Sequence, residues 1–155
     1  MVYVIDTSVI SVLYKNYYRK QFPSLWTLFD KIVEQGRITS TREVLRELQD
    51  RGGEASDWAE DNKYLFPMPN AIEGGHVAAI YKVKHFQSNI EKQKILRGGS
   101  NADSFLIARA RAIEGTVLTM EQLKPNSVKI PNICEYFDVR CVDLQRFMEI
   151  ENWKF

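Results

Sequence analysis

The chain begins Met1-Val2-Tyr3-Val4-Ile5-Asp6-Thr7-Ser8-Val9-Ile10. Val2–Ile5 is a short, unbroken apolar run of β-branched and aromatic residues. That length and composition predict a buried strand rather than a helix. The run stops at a carboxylate and two hydroxyls, and apolar residues resume at Val9. Asp6, Thr7 and Ser8 are each suited to capping a following helix. A carboxylate at the tip of a buried strand is also suited to be the first ligand of a metal site.

Working outward, Val9–Tyr14 has a helical pattern. Pro23–Gly36 (PSLWTLFDKIVEQG) places Leu25, Trp26, Leu28, Phe29, Ile32 and Val33 at helical spacing between a proline start and a glycine stop. Arg37–Thr39 predicts a brief strand. Ser40–Asp50 predicts a helix stopped by Gly52-Gly53, and Asp57–Phe66 another. Ile72–Leu96 is mostly helical in pattern, with Gly74-Gly75 as an interruption or early boundary. Asn101–Glu114 (NADSFLIARARAIE) is the clearest helix, with Gly115 in the stop position. Thr116–Thr119 and Val139–Val142 predict strands, and Ile130–Phe137 and Leu144–Glu149 short helices. This alternation argues an α/β layer fold with a largely parallel sheet and helices on both faces. Sites in such sheets gather outside the carboxyl ends of the strands.

Bulk properties narrow the class. A chain of 155 residues suits a single domain, 1–155, with its own core. Its 45% apolar and 26% charged residues are those of an ordinary globular protein. A net charge of +1 supplies no global basic field, so nucleic acid would have to meet a local patch. Cys134 and Cys141 form no CxxC pair and point to a reducing cytoplasm. No apolar run approaches the roughly 20 residues of a membrane span. Strand-like residues at the very start predict no targeting segment to remove.

Four acids fall at element junctions. Asp6 follows the first strand, and Glu43 lies in the first turn after the second. Asp103 opens the NADSF helix, and Glu121 lies two residues beyond TVLT. Each alone fits a structural role. Ser40-Thr41-Arg42-Glu43 matches a capping box, Ser100-Asn101-Ala102-Asp103 its acidic variant, and first-turn acids suit the helix dipole. Together, carboxylates converging on one sheet edge would repel one another unless a cation neutralised them. Hard oxygen ligands suit Mg²⁺ or Mn²⁺, and such a site supports phosphodiester hydrolysis.

The order Val4-Ile5-Asp6-Thr7-Ser8, Glu43 in STREVLREL, Asp103 in NADSFLIARA and Thr119-Met120-Glu121 resembles the PIN domain of VapC-type toxin ribonucleases. Lys129-Ile130-Pro131-Asn132-Ile133-Cys134 is similar to a PIN subgroup in which this segment follows the fourth acid. The resemblance runs from Met1 to about Leu144. It implies a three-layer α/β sandwich with a short, mostly parallel central sheet. It also implies a metal-dependent endoribonuclease acting as the toxin of a toxin–antitoxin pair. Asp6, Glu43 and Asp103 would be the metal ligands, and Thr119 would orient the site. Glu121, the fourth metal ligand the resemblance implies, stands where the pattern usually has Asp, with a longer arm to reach the metal directly or through water. Ser8 and Asn101 would bond a carboxylate or water. The implied partners are RNA, an antitoxin protein and a second copy of the chain. The alternative is a catalytically weak PIN-like module that binds RNA or protein. A phosphotransfer receiver would want paired acids after its first strand, and a DxD phosphatase would want a carboxylate where this chain has Ser8.

Other features carry less. Lys82, Lys84, Lys92, Lys94 and Arg97 against Glu91 give a basic stretch, either a phosphate rim or a solvated helix face. Tyr14-Lys15-Asn16-Tyr17-Tyr18-Arg19-Lys20 interleaves aromatics with bases, as single-strand RNA binders do. A partner surface or plain packing explains it equally well. His76 and His85 sit on opposite faces of a continuous helix, about 900° of rotation apart, and make a poor metal pair. Arg109 and Arg111 face differently, leaving one of them to reach outward.

Overall fold

The computed structural model describes residues 1–87 and 102–155. Strands β1 (Tyr3–Ile5), β2 (Ile38–Thr39), β3 (Thr116–Leu118) and β4 (Cys141–Val142) form one sheet in the order β2-β1-β3-β4. Every neighbouring pair is parallel. The helices are α1 (Thr7–Asn16), α2 (Pro23–Glu34), α3 (Arg42–Arg51), α4 (Gly53–Asp61), α5 (Ala71–Tyr81), α6 (Ala102–Ile113), α7 (Ile130–Tyr136) and α8 (Leu144–Ile150). The expected α/β sandwich is present, and its sheet is wholly parallel.

Strand order positions the site. From β1 the chain crosses one way to β2, then returns past β1 to β3 and on to β4. With the right-handed crossovers that parallel strands take, that reversal sends the chain to opposite faces after β1 and after β3. Such a reversal between the carboxyl ends of neighbouring strands is the usual binding position in open α/β sheets. In register Ile5 pairs with Leu118 and Leu118 with Val142. One residue further on, Asp6, Thr119 and Asp143 stand side by side at the tips.

All three β1 residues are buried, as the apolar run required. On the α1–α2 side, Trp58 of α4 packs its ring 5.9 Å from Phe29 and 6.1 Å from Phe66. Phe66 is fully buried, so truncating it to alanine would cost about 3–5 kcal/mol. At the opposite end of β1, the Tyr3 hydroxyl donates to Glu151 at 2.6 Å. Arg37 donates to the same carboxylate and to the Met1 carbonyl.

Several boundaries differ from the sequence pattern, each for a local reason. The helix expected at Ser40 starts at Arg42, because Ser40 spends its hydroxyl on the Ile5 carbonyl. Thr41 is the cap, accepting from Val44 N–H, so the Ser40–Glu43 box does not form. Gly52 and Gly53 do end α3, yet α4 starts at Gly53 rather than Asp57. The helix expected at 57–66 stops at Asp61 and is followed by a 3-10 turn, Lys63–Leu65. Gly74-Gly75 does not interrupt α5, whose start is fixed instead by a capping box between Asn70 and Glu73. At the end of α6 it is Glu114 that turns left-handed (φ 54°). Gly115 is needed because a Cβ there would meet the Val2 carbonyl oxygen at 3.2 Å. Arg109 does not reach outward: it donates to Thr39 Oγ1 and pairs with buried Glu73.

Candidate active site

Asp6 sits at the N-terminal boundary of α1 but does not cap it; neither do the hydroxyls beside it. Its Oδ2 accepts from Ser8 Oγ at 2.7 Å and from Thr119 Oγ1 at 2.9 Å. Each hydroxyl accepts in turn from the strand-tip loop. Ser8 Oγ takes Met120 N–H at 3.1 Å, and Thr119 Oγ1 takes Glu121 N–H at 3.1 Å. Two backbone amides are thus relayed through two hydroxyls onto one carboxylate oxygen. Among the described residues Asp6 Oδ1 receives no hydrogen bond.

Asp6 is only 6% exposed. Burial pushes its carboxyl above the usual range. The two hydroxyl bonds pull it back, and the charges of Glu121 and Glu47 raise it further. A buried anion facing two more anions is the environment a cation would relieve.

Glu47 is a residue the sequence pattern did not single out. Its Oε2 accepts from Thr7 Oγ1 at 2.6 Å, which joins α3 to the start of α1 beside Asp6. Its charge adds to the upward push on the Asp6 carboxyl. The usable signal was spacing: Glu47 lies four residues after Glu43, on the same helical face. Glu43 Oε2 is buried with no hydrogen-bond partner among the described residues, as is Arg42 Nε.

Glu121 follows the β3 tip, and its Oε2 accepts from Ile130 N–H at 2.8 Å, at the start of α7. This carboxylate serves the lysine-isoleucine-proline segment as well as bordering Asp6. Asp103 is buried in the first turn of α6. That helix runs into β3 through Glu114-Gly115, so its first turn lies toward the carboxyl edge, about 18 Å from its end. Asn101, Lys92, Lys94 and Arg97 lie outside the described residues. Lys82 and Lys84 are exposed at and beyond the end of α5.

Among the described residues no three His, Cys, Asp or Glu side chains are grouped so as to hold a metal ion alone. Mg²⁺ asks for less: one or two carboxylates, with water and substrate phosphate completing its octahedron. Asp6 Oδ1 and the orphaned Glu43 Oε2 are hard donors of that kind, so the chemistry of the residues fits such an ion. Behind Glu121, the Cys134 thiol is pushed up by its contact with Cys141, then by burial. Both cysteines are free thiols. No helix among the described residues is long and apolar enough to cross a membrane.

Comparison with curated proteins finds no match. A family model described as a domain of unknown function, DUF4411, matches residues 3–155, and the chain belongs to that family.

Proposed function

We propose that this protein is a PIN-like endoribonuclease dependent on Mg²⁺ or Mn²⁺, acting as the toxin of a toxin–antitoxin pair. One observation carries the reading: a buried carboxylate at the tip of β1 beside β3, held by two hydroxyls on one oxygen and, among the described residues, unbonded on the other. Asp6 and Asp103 would hold the ion, with Glu43, Glu47 and Glu121 supplying further oxygens directly or through water. A bound divalent ion would supply Lewis acidity toward a phosphodiester and its attacking water. The chain's own part is positional. Ser8 and Thr119 fix the Asp6 rotamer, Thr7 holds Glu47 beside it, and Glu121 ties the β3 loop to α7. Lys82 and Lys84 would meet RNA phosphates.

Cleavage of an unstructured RNA by the purified protein tests this. Turnover should need Mg²⁺ or Mn²⁺, vanish in excess EDTA and vanish in Asp6→Asn. Undiminished cleavage in EDTA would refute the metal mechanism. The toxin role rests on the resemblance. It predicts growth arrest on expression, relieved by Asp6→Asn, and a homodimer that captures an antitoxin protein.

A second reading is a catalytically weak module binding RNA or protein. It is favoured by Glu121, whose Oε2 is already engaged by Ile130 N–H. RNA binding without metal-dependent turnover would select it.

A further inference from the structure

Helix α1 leads away from Asp6 for about 15 Å. Two adjoining cavities follow it. The nearer, about 520 Å³, includes Ser11, Lys15 and Arg51; the farther, about 680 Å³, includes Tyr18, Lys20 and Trp58. Tyr14 and Glu54 line both, which makes them one furrow starting one turn beyond Thr7 and Ser8.

The furrow has a rigid aromatic floor. The Arg19 guanidinium lies 4.1 Å from the Trp26 ring centroid, donates to the Tyr14 hydroxyl and pairs with Asp30. That fixes Tyr14 against Trp26, whose ring is 4.7 Å away, and toward Trp58 at 6.5 Å. Above the floor Tyr18 is 58% exposed, with its ring uncommitted to the core. Arg19 is matched by Asp30, which leaves Lys15, Lys20 and Arg51 against Glu54 and Asp61 along the furrow. The excess of positive charge is small, so the exposed Tyr18 ring is the feature that sets its recognition chemistry.

We infer that this furrow is a track for single-stranded RNA, a base stacking on the exposed Tyr18 ring above the Tyr14 floor and phosphates meeting Lys15, Lys20 and Arg51. The inference rests on the proposed ribonuclease reading and adds where the strand lies relative to Asp6. Unpaired bases are required, because a duplex keeps its base faces inside the stack. The small charge excess predicts a shallow salt dependence. Three phosphate contacts give a log–log slope of about −2 for a single strand.

Affinity for a fluorescent 12-nucleotide unstructured RNA, measured by anisotropy on the intact protein in EDTA, tests the track. Stacking on one aromatic is worth about 1–3 kcal/mol, so Tyr18→Ala should weaken binding at least about fivefold. Tyr18→Phe should restore it, and Lys20→Glu should flatten the salt slope by about one. Tyr18 is surface-exposed, so circular dichroism of the variants should match the wild type. Unchanged RNA affinity in both Tyr18→Ala and Lys20→Glu overturns the track. If the wild type still cleaves RNA with metal, the ribonuclease reading survives that failure. Tyr18-dependent binding without any cleavage supports the track and removes the nuclease. Loss of a protein partner in Tyr18→Ala with RNA affinity intact assigns the furrow to protein and also overturns the inference.

Discussion

Thr119 and Asp6 are 113 residues apart in the chain and 2.9 Å apart in space, the threonine hydroxyl donating to Oδ2 across the seam between β3 and β1. The bond exists only when the two strands are in register, so site assembly and sheet formation are one event. Thr119→Val removes one of the two donors to a buried anion and strands Glu121 N–H. Hydrogen bonds to charged groups are worth about 1.5–3 kcal/mol, and a loss of that size is expected in urea unfolding. Because Ser8 shares Oδ2, Ser8→Ala and Thr119→Val should combine non-additively. Strict additivity in the double-mutant cycle would contradict a shared carboxylate.

Asp6 gives a stability prediction with a definite sign. Its folded-state value lies above the ordinary 3.8, chiefly through burial. The folded state then binds the proton more tightly than the unfolded chain. Stability rises as pH falls through the raised value toward 3.8, and a constant penalty persists above it. Asp6→Asn removes that penalty, so in EDTA at pH 7 the variant should melt higher than the wild type. The advantage should shrink in acid. Millimolar Mg²⁺ should raise the wild-type melting temperature and leave Asp6→Asn unmoved. A wild type more stable than the variant at pH 7 without metal would contradict the account.

Glu47 and Glu43 separate by geometry. Glu47 accepts from Thr7 Oγ1 beside Asp6, while Glu43 Oε2 is buried with no hydrogen-bond partner among the described residues. On the proposed ribonuclease reading, Glu47→Gln is expected to lower metal-dependent cleavage by about 10–100-fold, the usual cost of disturbing the support of a metal ligand. Glu43→Gln should cost less. Titrating Mg²⁺ against cleavage rate for both variants ranks them, and the reverse ranking would return Glu43 to the centre of the site.

At the other edge, burial works to raise Glu151, but Arg37 and the Tyr3 hydroxyl outweigh it and hold the carboxyl below its usual range. Its stabilising contribution is present above about pH 4.5 and lost as pH falls through the lowered folded value. Glu151→Gln should thus destabilise by about 1.5–3 kcal/mol at pH 7, and the two proteins should converge in acid. Urea midpoints at pH 7 and pH 3 provide the check; an equal gap at both would show that the charge is not responsible.

The strand at Val2–Ile5 was legible because burial on both faces leaves an unbroken apolar run, and α6 because its composition favours helix throughout. Asp6, Ser8 and Thr119 were legible because strand tips in a parallel sheet must share an edge. Glu47 was not, since a second acid on one helical face looks like surface charge until Thr7 is seen to reach it. The start of α3 was misplaced because Ser40, which looks like a cap, is needed by the Ile5 carbonyl of another strand. Gly74-Gly75 looked like a break, yet the Asn70–Glu73 capping box carries the helix through it. For Ser40 and Glu47 a contact distant in sequence outweighed the local pattern, whereas at Gly74-Gly75 one local signal outweighed another.

Arg37 gathers the Met1 carbonyl and the Glu151 carboxylate at the amino edge of the sheet. Both chain ends therefore emerge on the side turned away from Asp6. A dye or affinity handle joined at either end would leave the Asp6 end of the sheet uncovered. A pair of dyes, one at each end, would sit close together while the fold is intact and separate when Arg37 lets go. The protein thus comes with a ready optical gauge of its own unfolding, independent of any activity.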